Sequence, residues 1–96
     1  MLNSRQRAQL RAMANGYETI LQVGKTGVTD PIIKQADDAL EKRELIKCRT
    51  LETCPSTVQE TADLIAKATG ADTVQVIGSR FILYRPAKEK QIQLVK

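Results

Sequence analysis

Apolar residues recur at two different spacings along the chain, and the switching between them lays out its elements. Ile32, Ile33, Ala36, Ala39 and Leu40 fall three and four apart against Lys34, Gln35, Asp37, Asp38 and Glu41, which predicts an amphipathic helix ending near Arg43. Either Thr29 or Asp30 can cap it, with Pro31 in its first turn. Val58, Ala62, Ile65 and Ala66 repeat the spacing in a later helix that closes at Gly70, with Ser56 and Gln59 as its capping box after Pro55. Leu10, Met13 and Ala14 give a narrower apolar face to a first helix over residues 4–15, capped by Asn3 with Gln6 and stopped by Gly16.

Between these segments the period falls to two. Residues 17–23 are rich in β-branched and aromatic side chains between bounding glycines, and predict a strand. Residues 44–50 set Ile46 and Cys48 against Leu45, Lys47 and Arg49, a strand with one buried side and one partly basic side. Residues 73–77 and 80–85 are two further strands joined in a hairpin at Gly78 and Ser79. The order is therefore α-β-α-β-α-β-β. Helical crossovers join parallel neighbours and a hairpin joins antiparallel ones, so the fold class is α/β, with a mixed four-stranded sheet and packed helices. Residues 87–96 alternate Ile92 and Leu94 among charges and are expected to be a flexible tail or an added edge strand.

A length of 96 residues suits one domain, residues 1–96, and 42% hydrophobic with 27% charged residues is an ordinary globular composition. No apolar run approaches the roughly 20 residues of a membrane span, and the arginine-bearing start lacks a signal-peptide core, so a cytoplasmic protein is expected. Fifteen Lys and Arg against eleven Asp and Glu give a net charge of +4 and favour a polyanionic partner. With no histidine, proton transfer near neutral pH lacks its best-suited side chain, and no enzyme is expected. Cys48 and Cys54 are too few for a structural zinc site and do not form a redox spacing; they are read as reduced thiols, with no metal and no cofactor. Gly24-Lys25-Thr26 imitates the end of a nucleotide P-loop, but the glycine required five positions earlier is Thr19.

The chemistry that remains is Gly24-Lys25-Thr26-Gly27, a G-x-x-G loop between a strand and a helix start. Glycines admit a phosphodiester close to the main chain, the helix start offers free N–H groups, and Lys25 adds a cation. A G-x-x-G loop is how KH domains clamp a nucleic-acid backbone. The expectation follows that acidic replacements of Gly24 and Gly27 weaken RNA binding and spare the fold. Arg7, Arg11, Lys47, Arg49, Arg80 and Arg85 are the basic residues that convergence would add to the loop. Only Tyr17, Phe81 and Tyr84 are aromatic, which disfavours a platform stacking successive bases and points to phosphate and shape recognition of folded RNA.

Val23-Gly24-Lys25-Thr26-Gly27-Val28-Thr29, Arg43-Glu44-Leu45-Ile46-Lys47, Val74-Gln75-Val76-Ile77-Gly78 and Leu83-Tyr84-Arg85-Pro86, in that order, resemble the CRM domain family, in its stand-alone bacterial YhbY-like form. The resemblance implies a fold similar to the C-terminal domain of translation initiation factor three. It also implies an exposed G-x-x-G loop at Gly24, Lys25, Thr26 and Gly27, and association with ribosomal RNA in precursors of the large ribosomal subunit. Leu45-Ile46-Lys47 and Leu83-Tyr84-Arg85 look like framework, apart from Lys47 and Arg85, and an aliphatic residue is expected where Cys48 stands. The reading is a monomeric, non-enzymatic RNA-binding factor of ribosome assembly, with ribosomal proteins as further partners. The alternative is a protein-interaction module that reaches ribosomal particles through a protein, using its amphipathic helices or a sheet edge.

Overall fold

The computed structural model describes residues 2–89 and 91–95. Seven elements follow in the expected order: α1 (Ser4–Ala14), β1 (Thr19–Val23), α2 (Asp30–Arg43), β2 (Leu45–Thr50), α3 (Val58–Thr69), β3 (Asp72–Ile77) and β4 (Arg80–Tyr84). The sheet has the order β1-β2-β4-β3, parallel between β1 and β2 and antiparallel elsewhere.

Each face of the sheet carries its own core. Leu21 and Val23 of β1, Ile46 and Cys48 of β2, and Phe81 and Leu83 of β4 point to one side, where Ala36 and Leu40 of α2 and Ala62 and Ile65 of α3 cover them. The alternate positions Leu45, Ile82 and Tyr84 point to the other side and meet Leu10 and Ala14 of α1. The strands of the middle pair are thus apolar on both sides at their lower ends, which is why Leu45 and Ile46 are both buried.

Local signals explain most boundaries. Asn3 and Gln6 form a reciprocal capping box, and Gly70 takes the left-handed conformation that ends α3. Gly78, with φ 59° at the first hairpin position, supplies the positive φ that a II′ turn requires. Two boundaries differ from expectation. The capping box of α3 is Thr57 with Glu60, one residue later than Ser56 with Gln59, which places an acidic side chain in the first turn against the helix dipole. Strand β1 starts at Thr19 rather than Tyr17, because the Tyr17 amide donates to the Ala14 carbonyl and is spent on closing α1.

The larger departure is Glu44. It does not open a strand; it caps α2 with φ 64°, is completely buried, and turns the chain directly into β2. Its carboxylate accepts from the Ala87 and Ile92 amides, both at 2.8 Å, and its carbonyl accepts from the Arg85 amide. A buried carboxylate is tolerated only with such donors. Among the described residues of the tail there is no strand, and the chain runs against the molecule: Ile92 and Leu94 pack on the α1 core, and Gln9 contacts the chain by donating to the Gln93 carbonyl and accepting from the Val95 amide. Gln6 donates to the Val95 carbonyl. The alternation of Ile92 and Leu94 is thus satisfied by glutamine side chains in place of a neighbouring strand.

Glu44→Ala is expected to lower stability by about 2 kcal/mol, since two amides lose their acceptor. Glu44→Gly should recover about 1 kcal/mol of that by relieving the left-handed backbone. Denaturant titration gives both values, and hydrogen exchange should show the Ala87 and Ile92 amides opening in either variant. Burial pushes the Cys48 thiol up to about 12. A thiol raised in the folded state favours folding below the ordinary thiol range and loses that contribution as pH rises from there toward 12. At pH 8 an alkylating reagent is therefore expected to modify half-buried Cys54 and spare Cys48 until the protein unfolds, as peptide mass mapping would show.

Candidate nucleic-acid interface

Parallel pairing carries the chain out of β1 and β2 at the same end of the sheet, and the β3–β4 turn lies at that end too. The loops are stitched together there: Leu51 N–H donates to Val23 O at 2.9 Å and Thr50 N–H to Ser79 O at 2.8 Å. Gly24 to Gly27 forms a tight turn closed by a bond from Gly27 N–H to Gly24 O at 2.9 Å, and its tip, Lys25 and Thr26, is exposed. Behind it α2 follows its N-cap Thr29, whose side chain makes no capping bond and so leaves the first-turn amides without an acceptor from the cap.

The two glycines have different tasks. Gly27 is buried at φ 69°, and a Cβ there would stand 3.2 Å from Cγ of Pro55. A Cβ at Gly24 would make only ordinary contact, 3.5 Å from Leu51 Cδ1. The expectation that both accept acidic side chains without harm to the fold is therefore corrected for Gly27: backbone conformation and Pro55 both oppose it.

Beyond Leu51 and Thr53, which flank Gly24, a surface cavity of about 570 Å³ opens between Arg49, Glu52 and Ser79. Arg49 lies directly opposite Arg80 in the β2–β4 register, with Gln22 beside it on β1 and Ile77 beside Arg80 on β3. The four side chains make one row across the sheet on the face that α1 leaves uncovered at this end. Like charges directly opposite one another are unfavourable in an antiparallel pair, where side chains stand about 5 Å apart. Among the described residues neither guanidinium has a carboxylate partner, and the buried Arg49 Nε has no hydrogen-bond partner at all. Lys47 sits two residues along β2 on the same side. Glu52 lines the cavity, exposed Asp30 opens α2 behind the turn, and Lys25 is exposed at the turn tip.

The other basic residues do not converge with the loop. Arg85 is held inside the molecule, its guanidinium bound to Asp37, Glu41 and the Thr69 carbonyl with 17% of the side chain exposed. It clamps α2 and α3 to the end of β4. Arg7 donates to the Thr73 carbonyl at 2.6 Å, at the start of β3 and so at the opposite end from the hairpin turn. Arg11 is exposed in the last turn of α1. Gln22, Ser79 and Ile77 were not read from the sequence as part of this surface; only strand register places them there.

The family model of the CRS1/YhbY (CRM) domain matches residues 2–85. The chain belongs to that family. It is 43% identical over 95 residues to a Bacillus subtilis relative named as a probable RNA-binding protein, YqeI, with 98% of this chain and 99% of the relative covered. A Haemophilus influenzae RNA-binding protein is 32% identical over 93 residues, covering 97% and 94% of the two chains. The solution structure of a Staphylococcus aureus protein, described as a candidate RNA-binding protein, superposes with a TM-score of 0.84 at 42% identity, over 99% of this chain and 100% of that one. The family match ends at Arg85, so the strapped tail lies beyond it.

Gly27→Asp is expected to lower the denaturation midpoint, because positive φ alone disfavours a side chain by about 1–2 kcal/mol. Gly24→Asp should melt close to the parent protein. Thermal melts of the pair separate the framework glycine from the one that borders the open surface.

Proposed function

We propose that this protein is a monomeric, cytoplasmic RNA-binding accessory factor that associates with ribosomal RNA in precursors of the large ribosomal subunit. The carrying observation is the continuity of the exposed G-x-x-G turn with the unpaired Arg49–Arg80 row. Two opposed arginines without a carboxylate are relieved by an anion shared between them, and a polyanion can bridge from that row to Lys25 and the open amides of α2. The RNA-binding relatives support the same partner. Recognition rests on the sugar-phosphate backbone, and no chemical step is assigned to the protein. Its action would be to hold or delay an RNA conformation during assembly, with ribosomal proteins as neighbours.

A protein-docking reading would use the shallow apolar surface between α2 and α3, where Val28, Ile33 and Ala68 surround Leu64, itself 51% exposed. The two readings separate on subunit precursors treated with nuclease. Co-sedimentation that ends when RNA is digested supports RNA binding, and co-sedimentation that survives digestion and ignores competing RNA supports docking through a protein.

Filter binding to large-subunit RNA fragments over a salt series is the direct test. Gly24→Asp should weaken binding, and Lys25→Ala and Arg80→Ala should each reduce the slope of log affinity against log salt by about one. Arg85→Ala should leave that slope unchanged while lowering stability by about 1–3 kcal/mol through its lost charged hydrogen bonds. An unchanged slope in both Lys25→Ala and Arg80→Ala would sink the proposal.

A further inference from the structure

At the other end of the two parallel strands, where β1 and β2 begin, is a more enclosed cavity of about 190 Å³. Tyr17, Ile20 and Leu45 give it apolar walls, Arg43 and Lys47 give it two cations, and Glu18 gives it an acceptor. Tyr17 and Ile20 are each 39% exposed, whereas Leu45 is fully buried and forms part of the base of the cavity. Among the described residues Tyr17 is the only aromatic ring open to solvent, since Phe81 and Tyr84 are buried in the two cores. The sequence places no aromatic platform on this protein; the fold places one ring at one cavity.

Neither α1 packing nor the sheet ladder accounts for that ring. Its amide closes α1, while its side chain stays part-exposed among the cavity's lining residues with Ile20. At about 190 Å³ the cavity is below the roughly 300 Å³ typical of clefts for larger ligands, a volume that suits one heterocyclic ring. Its composition also suits one: an aromatic and a branched aliphatic surface for the two ring faces, a carboxylate to accept from an exocyclic amino group, and cations for the phosphates on either side.

Lys47 belongs both to this cavity and to the basic track. It pairs with Thr19 in the β1–β2 register, and Arg49 follows two residues later on the same side, about 6.7 Å further along the strand. That interval is comparable to the separation of neighbouring phosphates in a nucleic-acid strand. From Lys47 the track reaches Arg49, which has Arg80 of β4 on one side and, on the other, Gln22 of β1, the strand that leads into the G-x-x-G turn.

We infer that this cavity seats a single unpaired base of the bound RNA, flanked by Tyr17 and Ile20, while the adjoining backbone follows Lys47 and Arg49 toward the turn. The inference rests on the RNA-binding reading and adds a base-recognising position to what is otherwise backbone recognition. A bulged or terminal nucleotide is the ligand class; a continuous duplex leaves the cavity unused.

The test uses a short RNA hairpin with one bulged 2-aminopurine nucleotide and the same hairpin with an abasic site at the bulge. The full chain should bind the base-bearing hairpin about tenfold more tightly, with quenching of 2-aminopurine fluorescence as the base stacks. Tyr17→Ala should abolish both the preference and the quenching, and Tyr17→Phe should retain them. Since Tyr17 lies at the surface, circular dichroism melts of both variants should match the parent. Equal affinity for the two hairpins, or a preference that survives Tyr17→Ala, overturns the base pocket while leaving backbone binding standing. Failure of the parent protein to bind either hairpin overturns the RNA-binding reading together with it.

Discussion

Parallel pairing between β1 and β2 obliges the chain to leave both strands at the same end of the sheet and to return through a helix each time. The positions of the other surface features follow from that constraint. The turn after β1 and the loop after β2 become neighbours, the hairpin turn between β3 and β4 joins them, and the opposite end is left to helix termini and short reversals. One end is therefore irregular backbone around the glycine turn, and the other holds the α2–β2 junction and the cavity beside Tyr17. The short return from α2 into β2 is possible only because Glu44 accepts a left-handed backbone and buries its carboxylate under two amides of the tail. A residue that a one-dimensional reading places on a strand is instead the pin between a helix end, a strand start and the last part of the chain.

The electrostatics divide along the same axis. Arg85 and Arg49 are both mostly buried arginines near strand ends, yet their surroundings are opposite. Arg85 has two carboxylates and a carbonyl and serves the fold. Arg49 faces Arg80, and one of its buried nitrogens has no partner. Charge that is already neutralised within the molecule contributes little to an external partner, whereas charge held unneutralised stores an unfavourable interaction that a polyanion relieves. The net charge of +4 says nothing about this division.

Much of the fold could be read from the chain because its local signals agree with one another. The 3.6-residue spacing of α2 and α3, the Asn3–Gln6 box, Gly70 and the Gly78–Ser79 hairpin each point to the element found. The α3 cap slipped by one because Ser56–Gln59 and Thr57–Glu60 are overlapping frames, and only the helix dipole favours the glutamate. The course of the tail is not legible in the chain because its partners are side chains of Gln6, Gln9 and Glu44, far away in sequence and bearing no periodic signal. For the site, the strand-to-helix position of the G-x-x-G turn was legible. That Arg49 would oppose Arg80 while Arg85 turned inward was not, since strand register and ion-pair choice are decided by tertiary packing. Tyr17 was visible only as one aromatic among few.

The strap that carries the tail over α1 has an effect on architecture. Gln6 near one terminus grips Val95 near the other, and Arg7 in the same helix turn reaches the start of β3, distant from the glycine turn. The start of α1 and the described part of the tail thus lie side by side and away from the open loops. A partner that covered that seam would leave the basic end open.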